Sequence, residues 1–361
     1  MKDCIDILDL TTEEIDELIH TAMDMMENPE KYSQCMKGKR LATLFYEPST
    51  RTRLSFESAM QTMGGDVIGF TGAQSSSASK GESVHDTSIV VSQLADIIAM
   101  RHNMEGAPMV AAQSCNIPVI NAGDGGHNHP TQTLADLCTI YREKGRLDDL
   151  TVGFVGDLKY GRTVHSLLNA LARYKGLKVV LISPEELKVP AWVKEDILEK
   201  HNISYVEVTN MEENLKNLDV LYMTRIQKER FDSAETYERL KDVYILNAKK
   251  MEKAKSDCIV LHPLPRVNEI SVDLDDDPRA CYFKQVYNGR YMRMALIKKL
   301  LSEKPERPEL QPDDLVDVLH CTNKRCITAC EQELRHVFRL KDPKTHTYRC
   351  IYCEAEAVYN K

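Results

Sequence analysis

The chain has 361 residues, more than one hydrophobic core usually organises, so we expect two or three domains. With 42% hydrophobic and 28% charged residues, the composition excludes a disordered chain. The net charge of -8 argues against nucleic acid as the main partner, because phosphate backbones need a basic field, but it leaves room for a small anionic substrate in a local basic pocket. No apolar run approaches the roughly 20 residues that span a bilayer, and the N-terminus has no signal-peptide core, so we expect no membrane contact and a cytoplasmic protein.

The first part of the chain alternates strand and helix signals. Ser49 has the position of a helix N-cap, and Gly64 and Gly65 end that helix. A serine-rich loop over 75–81 precedes a helix to about Leu94, and another helix runs from Thr131 to about 144. The predicted strands of this part are 41–46, 66–70, 96–100 and 117–121.

The alternation then restarts with strands over 150–155, 179–182, 204–208, 220–223 and 259–261 and a helix over 163–174. This order predicts an α/β protein with two doubly wound parallel-sheet domains, at 1–137 and 138–302. A last helix, at about 291–302, is expected to pack back on the first domain. A proline-rich linker at 303–312 would then lead to a small domain at 313–361.

Ser49-Thr50-Arg51-Thr52-Arg53 gathers hydroxyls, two guanidinium groups and free backbone N–H groups at one helix N-terminus. A phosphate group needs these donors together with the positive end of the helix dipole. The alternative interpretation is a capped helix with two surface arginines.

The stretch 45–57, Phe-Tyr-Glu-Pro-Ser-Thr-Arg-Thr-Arg-Leu-Ser-Phe-Glu, resembles the carbamoyl phosphate signature of the transcarbamoylase family. The resemblance covers residues 1 to about 302. Its further motifs are Ser-Lys-Gly-Glu (79–82), Met-Arg-His (100–102), Asn-Ala-Gly-Asp-Gly (121–125), His-Pro-Thr-Gln-Thr-Leu-Ala-Asp (129–136), 156–166, 222–230 and His-Pro-Leu-Pro-Arg (262–266).

The acceptor amine is indicated by two features. His-Pro-Leu-Pro resembles the aspartate branch of the family, whereas ornithine enzymes typically carry Cys at the position of Pro263. Lys80, Arg162 and Arg225 suit a dicarboxylate and would disfavour the cationic ornithine side chain. The resemblance therefore implies transfer of the carbamoyl group of carbamoyl phosphate to the α-amine of L-aspartate. The products would be N-carbamoyl-L-aspartate and phosphate, in de novo pyrimidine biosynthesis, with no cofactor for catalysis.

The resemblance also implies a role for each matching residue. Carbamoyl phosphate would be held by Ser49, Thr50, Arg51, Thr52, Ser76, Arg101, His129, Gln132 and the carbonyls of Leu264 and Pro265. Arg51, Thr52, Arg101, His129 and Lys80 would be catalytic, and aspartate would be bound by Lys80, Arg162, Arg225 and Gln227. Glu47 would pair with Arg162 and Arg230 on domain closure. In the family, the loop with Ser76 and Lys80 reaches into a neighbouring subunit, which implies a homotrimer with shared active sites.

Simpler interpretations remain for several of these residues. His129 before Pro130 could cap a helix, Arg162 could be a solvated helix start, and the serine-rich loop could be a linker. The turn 153–157 lacks the Gly-x-Gly-x-x-Gly spacing, so we reject a dinucleotide site. We expect His85, His127 and His165 to be structural or solvent-facing.

Five of the eleven cysteines lie in the last 41 residues. Cys321, Cys326, Cys350 and Cys353 form two close pairs, the arrangement of a tetrahedral zinc site, and so short a segment needs such a staple. Reduced buried cysteines or disulfides are the alternative. We expect Cys330 to be a free thiol, and His320 is a weaker candidate ligand.

This segment resembles the zinc domain of the family's regulatory chain, without that chain's nucleotide-binding domain. We expect a structural Zn²⁺ that steadies the trimer, a possible higher assembly through this domain, and no regulation by ATP or CTP of this chain alone. Two other hypotheses stay open: a transcarbamoylase for a different amine, and a non-catalytic scaffold that uses the zinc domain to bind a partner.

Overall fold

The structure is a computed structural model that describes residues 3–226, 233–240, 242–303, 310–331 and 334–359. Its internal contacts divide the chain into two compact units. Unit 1 comprises Met1–Leu10, Met23–Pro130 and Arg293–Lys361, and unit 2 comprises Thr11–Ala22 and Thr131–Met292. No helix among the described residues is long and apolar enough to cross a membrane.

Unit 1 is built on a four-stranded parallel sheet in the order β2-β1-β3-β4. The strands are β1 (Arg40–Phe45), β2 (Asp66–Thr71), β3 (Ile97–His102) and β4 (Val119–Asp124). The α-helices between residues 12 and 114 are α1 (Thr12–Glu27), α2 (Pro29–Tyr32), α3 (Thr50–Thr62), α4 (Val84–Ser92) and α5 (Ala107–Ser114). The first part of α1 belongs to unit 2. Five of the six residues of β1 are buried, as expected for a central parallel strand covered on both faces.

The serine-rich segment differs from the loop that we predicted. It forms two short 3₁₀ turns, at Ala73–Ser75 and Ser77–Lys80. The hydroxyls of Ser75, Ser76 and Ser79 each donate to a backbone carbonyl three residues earlier, at 2.8 Å in every case. These local hydrogen bonds give a defined shape to a segment whose only apolar side chains are those of Ala73 and Ala78.

Unit 2 contains a five-stranded parallel sheet in the order β7-β6-β5-β8-β9. Its strands are β5 (Thr151–Val155), β6 (Lys178–Ile182), β7 (Ser204–Val208), β8 (Val220–Met223) and β9 (Ile259–Leu261). The strand order reverses between β5 and β8, the position at which open parallel sheets bind ligands. Gly156 follows β5 there with φ 111°, and a Cβ on it would lie 2.6 Å from the carbonyl oxygen of Thr224, so the turn requires glycine.

The helices of this second part are α6 (Pro130–Lys144), α7 (Arg162–Leu171), α8 (Ala191–Val193), α9 (Met211–Asn214), α10 (Ala234–Leu240), α11 (Ala248–Met251) and α12 (Tyr282–Ser302). Our prediction for the last helix was too short, because α12 begins at Tyr282 rather than near 291. Gln285 and Asn288 in its first turns are buried and hydrogen-bonded to Asp136 and Thr139. Because these buried residues are polar, the start of α12 lacks the regular spacing of apolar residues from which we predicted the helix.

The C-terminal segment forms an antiparallel sheet of β10 (Leu315–Val316), β11 (Val337–Asp342), β12 (Thr347–Cys350) and β13 (Glu356–Val358). The buried apolar residues described in this segment do not form a separate core. Phe338 and Tyr352 belong to the same buried cluster as Val110 and Ala111 of α5. The segment is too short to bury a core by itself, and the core that it shares with the rest of unit 1 compensates for this.

Backbone hydrogen bonds join the same two parts of unit 1. The Glu105 N–H donates to the Arg325 carbonyl at 2.8 Å, and the Ile327 N–H donates to the Glu105 carbonyl at 2.9 Å. The side chain of Asn323 donates to Glu105 Oε2 at 2.7 Å. Gly106 approaches Tyr352 so closely that a Cβ would lie 2.5 Å from the Tyr352 Cβ. The C-terminal segment is therefore fastened to its own chain just before α5.

Candidate functional site

The candidate anion-binding stretch of unit 1 lies at the start of α3, which follows β1. Ser49 is the N-cap with an extended backbone (φ -152°, ψ 107°), and Thr50 is the first helical residue. Thr52 is buried at 9% exposure, whereas Arg51 is exposed. The free N–H groups of the first turn and the helix dipole make this end of α3 suited to an anion.

Arg101 on β3 adds a further guanidinium group to unit 1. Its Nη2 lies 2.8 Å from Glu47 Oε2, and its Nη1 donates to the Ala122 carbonyl at 3.3 Å. Burial and the charge of Arg101 lower the pKa of Arg51. The guanidinium groups of Arg51 and Arg101 together create a local positive field that attracts an anion.

His129 lies at the end of the loop between β4 and α6 and is buried at 5% exposure. The loop is held by Asp124, whose carboxylate accepts from the backbone N–H of Gly106 at 2.8 Å and of Asn128 at 2.9 Å. His127 Nδ1 lies 3.0 Å from Asp124 Oδ2. Burial opposes the charged form of His127, but Asp124 raises its pKa well above the usual value. This agrees with the structural role expected for His127.

One contact of this loop comes from the C-terminal segment and could not be predicted from the sequence. Glu354 Oε2 lies 3.4 Å from His127 Nε2. His127 is two residues from His129, and Glu354 follows Cys353 directly. The cysteine-rich segment thus reaches the loop that carries a candidate catalytic residue.

Of the candidate residues on this segment of unit 1, Ser76 lies between the two 3₁₀ turns and Lys80 ends the second. The Ser76 hydroxyl donates to the Ala73 carbonyl at 2.8 Å, and Lys80 is exposed. Both residues are on a surface segment, which is compatible with a role outside their own subunit.

In unit 2, the candidate aspartate ligands follow the two strands at the switch point. Arg162 begins α7 after β5, and Arg225 comes two residues after β8. The turn before Arg162 is fixed by Asp157, which accepts from the Tyr160 N–H at 2.9 Å, and by His165, whose Nε2 lies 2.8 Å from the Leu158 carbonyl oxygen. Burial lowers the pKa of His165 to about 4, so at neutral pH the ring is an uncharged support, as the sequence indicated.

The candidate carbamoyl ligands of unit 2 are on α6 and after β9. Gln132 lies in the first turn of α6 and is half-buried. Leu264 has a left-handed backbone with φ 54° and precedes Pro265 through a cis peptide bond. The Leu264 N–H donates to His262 Nδ1 at 2.7 Å, which holds the turn in place.

Two predicted site residues, Gln227 and Arg230, lie outside the described residues. The predicted pairing of Glu47 with Arg162 and Arg230 therefore stays a prediction. Within unit 1, the Glu47 carboxylate pairs with Arg101 instead.

The sulfur atoms of Cys321, Cys326, Cys350 and Cys353 lie within 4.8 Å of one another. Cys321 and Cys353 are 3.5 Å apart at sulfur, and Cys326 and Cys350 are 3.9 Å apart. All are free thiols, which excludes the disulfide alternative in this structure. A tetrahedral ion with Zn–S bonds of about 2.3 Å places its sulfurs about 3.8 Å apart, so these thiols fit a metal site.

The two other candidates of this segment lie apart from that cluster. Cys330 is exposed, and its thiol contacts the Ile327 carbonyl oxygen at 3.4 Å. The His320 ring packs edge-on against His336 with 4.7 Å between centroids. The metal-ligating group found among the described residues contains neither.

Three family models match the chain. Residues 2–142 match the carbamoyl-P binding domain of aspartate/ornithine carbamoyltransferase, and residues 148–300 match its Asp/Orn binding domain. Residues 313–361 match the metal binding domain of the aspartate carbamoyltransferase regulatory chain. The fold and these three matches define a carbamoyltransferase with a metal-binding domain at its C-terminus.

The chain belongs to the aspartate/ornithine carbamoyltransferase family. It is 62% identical over 306 residues to the aspartate carbamoyltransferase catalytic subunit of Lachnoclostridium phytofermentans, covering 85% of this chain and 100% of the relative. The catalytic subunit from Clostridium perfringens is 60% identical and covers 84% of this chain and 98% of the relative.

Solved structures agree with this assignment. The catalytic subunit of M. jannaschii aspartate transcarbamoylase is 48% identical with a TM-score of 0.79, over 84% of this chain and 98% of that chain. Aspartate transcarbamoylase from Trypanosoma cruzi in complex with carbamoyl phosphate is 37% identical with a TM-score of 0.78, over 82% and 95%.

Proposed function

We propose that this chain is an aspartate carbamoyltransferase, which transfers the carbamoyl group of carbamoyl phosphate to the α-amine of L-aspartate. The observation that carries the proposal is the start of α3, where Ser49, Thr50, Arg51 and Thr52 present an anion site in the same unit as Arg101. The relatives described above support the aspartate branch. The reaction would serve de novo pyrimidine biosynthesis in the cytoplasm.

The neutral α-amine attacks the carbonyl carbon, and a tetrahedral oxyanion forms. Phosphate then leaves as the C–O bond breaks, and the proton that the amine loses passes to the departing phosphate. The proposed phosphate ligands at the start of α3 neutralise the leaving group, assisted by the helix dipole. Arg101, Thr52 and His129 donate to the carbonyl oxygen as its negative charge develops. Donors fixed in advance cost little reorganisation, which is why the buried state of His129 and Thr52 favours catalysis.

The remaining contacts orient the two substrates. Gln132 and the carbonyls of Leu264 and Pro265 accept from the carbamoyl NH₂ group. Arg162 and Arg225, with Gln227, bind the aspartate carboxylates, because guanidinium groups match carboxylates with two parallel hydrogen bonds. Alignment of amine and carbonyl carbon supplies much of the rate enhancement.

The active sites are shared between subunits of a homotrimer in this proposal. Lys80 and Ser76 would reach a neighbouring site from their exposed turns. Mixing Lys80→Ala trimers with His129→Ala trimers, after dissociation and reassociation, tests this arrangement. Shared sites predict that activity returns, because some mixed sites contain both intact residues. Separate sites within each chain predict that the mixture stays inactive.

The C-terminal domain would bind a structural Zn²⁺ through Cys321, Cys326, Cys350 and Cys353. The support is four free sulfurs at tetrahedral spacing in a segment without its own core. Metal analysis of purified protein should find one zinc per chain. Cys350→Ser should lose that zinc, whereas Cys330→Ser should retain it.

The activity is tested by incubating purified protein with carbamoyl phosphate and either aspartate or ornithine. Carbamoyl aspartate alone would support the proposal. Product only with another amine would favour a different transcarbamoylase, and a folded, metal-loaded trimer without product would favour the scaffold hypothesis. Titration with ATP and CTP during the same assay tests the expectation that neither shifts aspartate saturation.

A further inference from the structure

A buried chain of hydrogen bonds in unit 2 begins at the proposed carbamoyl ligand Gln132. Gln132 Nε2 donates to Asp136 Oδ1 at 2.7 Å, one helical turn further along α6. With its nitrogen turned toward Asp136, the amide directs its oxygen the other way. Gln132 is therefore set up as an acceptor, the group that a carbamoyl NH₂ requires.

Asp136 is fully buried and receives two more donors. Gln285 Nε2 donates to Asp136 Oδ1 at 2.6 Å, and the Tyr222 hydroxyl donates to Oδ2 at 3.0 Å. Burial, together with the charge of Asp136, raises the pKa of Tyr222 well above its usual value, so the phenol remains a donor. Three donors converging on one carboxyl group require it to accept throughout, which is the behaviour of a carboxylate.

The same chain continues to the second proposed acceptor, the turn at Leu264. Gln285 Oε1 accepts from the His262 N–H at 2.8 Å, so both ends of the Gln285 amide are committed. His262 Nδ1 accepts from the Leu264 N–H at 2.7 Å, and His262 Nε2 lies 2.7 Å from Glu269 Oε1. An accepting Nδ1 leaves Nε2 as the protonated nitrogen, so the ring donates to Glu269.

Glu269 completes the turn. Its Oε2 accepts from the backbone N–H of Val267 at 3.0 Å and of Asn268 at 3.1 Å. Burial would raise the pKa of Glu269, but the hydrogen bond from His262 lowers it overall. One buried network thus fixes the Gln132 amide and the backbone that carries the Leu264 carbonyl.

We infer that Asp136 is a positioning residue that makes the site selective for an acyl phosphate bearing an NH₂ group. It acts by holding the Gln132 amide with its oxygen toward the substrate. The inference rests on the proposed function, because it requires Gln132 to contact the carbamoyl group. A ligand such as acetyl phosphate, in which a methyl group replaces the NH₂, gains nothing from this orientation.

Asp136→Ala tests the inference because it removes the acceptor that holds the Gln132 amide. Asp136→Asn is less decisive, because its oxygen could stay on Gln132 while its NH₂ group met the Tyr222 hydroxyl, which can accept as well as donate. Gln285 is committed at both ends, whereas the half-buried Gln132 amide can rotate once the carboxylate is gone. A turned Gln132 presents N–H groups to the carbamoyl NH₂, and donors then face donors.

The measurements are the KM for carbamoyl phosphate and the Ki of acetyl phosphate as a competitive inhibitor. In Asp136→Ala we expect the KM to rise about 10- to 100-fold, as for a lost polar recognition contact. The Ki should change by less than about threefold, because the methyl group makes no hydrogen bond with Gln132. Asp136→Glu, which keeps a carboxylate, should recover part of the preference.

Two variants control for stability. Tyr222→Phe removes a donor from Oδ2 and leaves the Gln132 bond on Oδ1. Thr139 lies on α6, as Asp136 does. Thr139→Val removes the buried hydrogen bond that Thr139 accepts from Asn288, and this bond does not involve Gln132. Both should lower the unfolding midpoint and keep the wild-type ratio of KM to Ki. If Asp136→Ala does not fold, Asp136→Ser, which also removes the carboxylate that holds the Gln132 amide, is measured instead.

A folded Asp136→Ala with the wild-type ratio of KM to Ki would overturn the inference. Equal losses for both ligands give that result, and they would indicate a purely structural role. Wild-type protein that forms no carbamoyl aspartate is a separate result and counts against the proposed function.

Discussion

The attachment of the C-terminal segment to unit 1 can be tested at Gly106. Gly106 has φ 86°, and an added Cβ would lie 2.6 Å from the Tyr352 carbonyl oxygen and 2.5 Å from its Cβ. Gly106→Ala therefore combines a left-handed backbone penalty of about 1 kcal/mol with an overpacking cost of about 1–3 kcal/mol. Because part of the obstacle is backbone, a side-chain rotation cannot relieve it.

Gly38→Ala is the matched control. Gly38 has nearly the same φ, 80°, and a Cβ there would have nothing within 4 Å. The difference between the two variants isolates the contact with Tyr352. If the overpacking cost of about 1–3 kcal/mol falls on local opening of the C-terminal segment, the segment opens about 5- to 150-fold more often than in the control.

Release of the proposed zinc to a chromophoric chelator, below the unfolding temperature, measures this opening. We expect Gly106→Ala to release metal faster than Gly38→Ala by that factor, and to expose the segment to limited proteolysis. Equal release rates and equal thermal midpoints in the two variants would refute the packing of Tyr352 on Gly106.

Three further predictions concern the site, the metal and pH. Arg51→Ala and His129→Ala should each lose orders of magnitude in turnover with an unchanged circular dichroism spectrum, and near-normal rates in either variant would remove that residue from the site. Cys350→Ser, or chelation of the wild type, should abolish the cooperative unfolding of the C-terminal segment, as followed by hydrogen exchange, whereas unchanged protection would exclude a metal staple. The pKa of His165 falls from 6.5 to about 4 on folding, so its contribution of about 3 kcal/mol is present above pH 6.5 and is lost as the pH falls toward 4. Urea titrations at pH 7 and pH 4.5 measure the free energy of unfolding, which should fall less between the two pH values in His165→Asn than in wild type or in the exposed control His85→Asn. The same fall in all three proteins would contradict the burial argument.

Strands in the middle of parallel sheets could be predicted because their apolar runs stop at polar residues. The observed β8 (Val220–Met223) and β9 (Ile259–Leu261) have the bounds that the sequence indicated. Helix α5 was missed, because its small residues and Pro108 have no strong helical period. Its formation depends on packing in the core that it shares with Phe338.

The candidate site residues also differ in whether the sequence could predict them. Motifs such as 49–53 reveal residues whose chemistry is unusual for a surface, so Arg51 could be singled out from the sequence. Asp136, Gln285 and Glu269 could not, because their role depends on partners up to 149 residues away. The contact between Glu354 and His127 also depends on how the C-terminal segment packs, which no local pattern encodes.

The central claim is that the acceptor is the α-amine of L-aspartate. The most direct measurement supplies purified protein with ¹³C-labelled carbamoyl phosphate and an equimolar mixture of aspartate and ornithine, and follows both products by NMR. We predict that labelled carbamoyl aspartate accumulates at the rate of phosphate release, with no labelled citrulline. Labelled citrulline, or phosphate release without carbamoyl aspartate, would contradict the account.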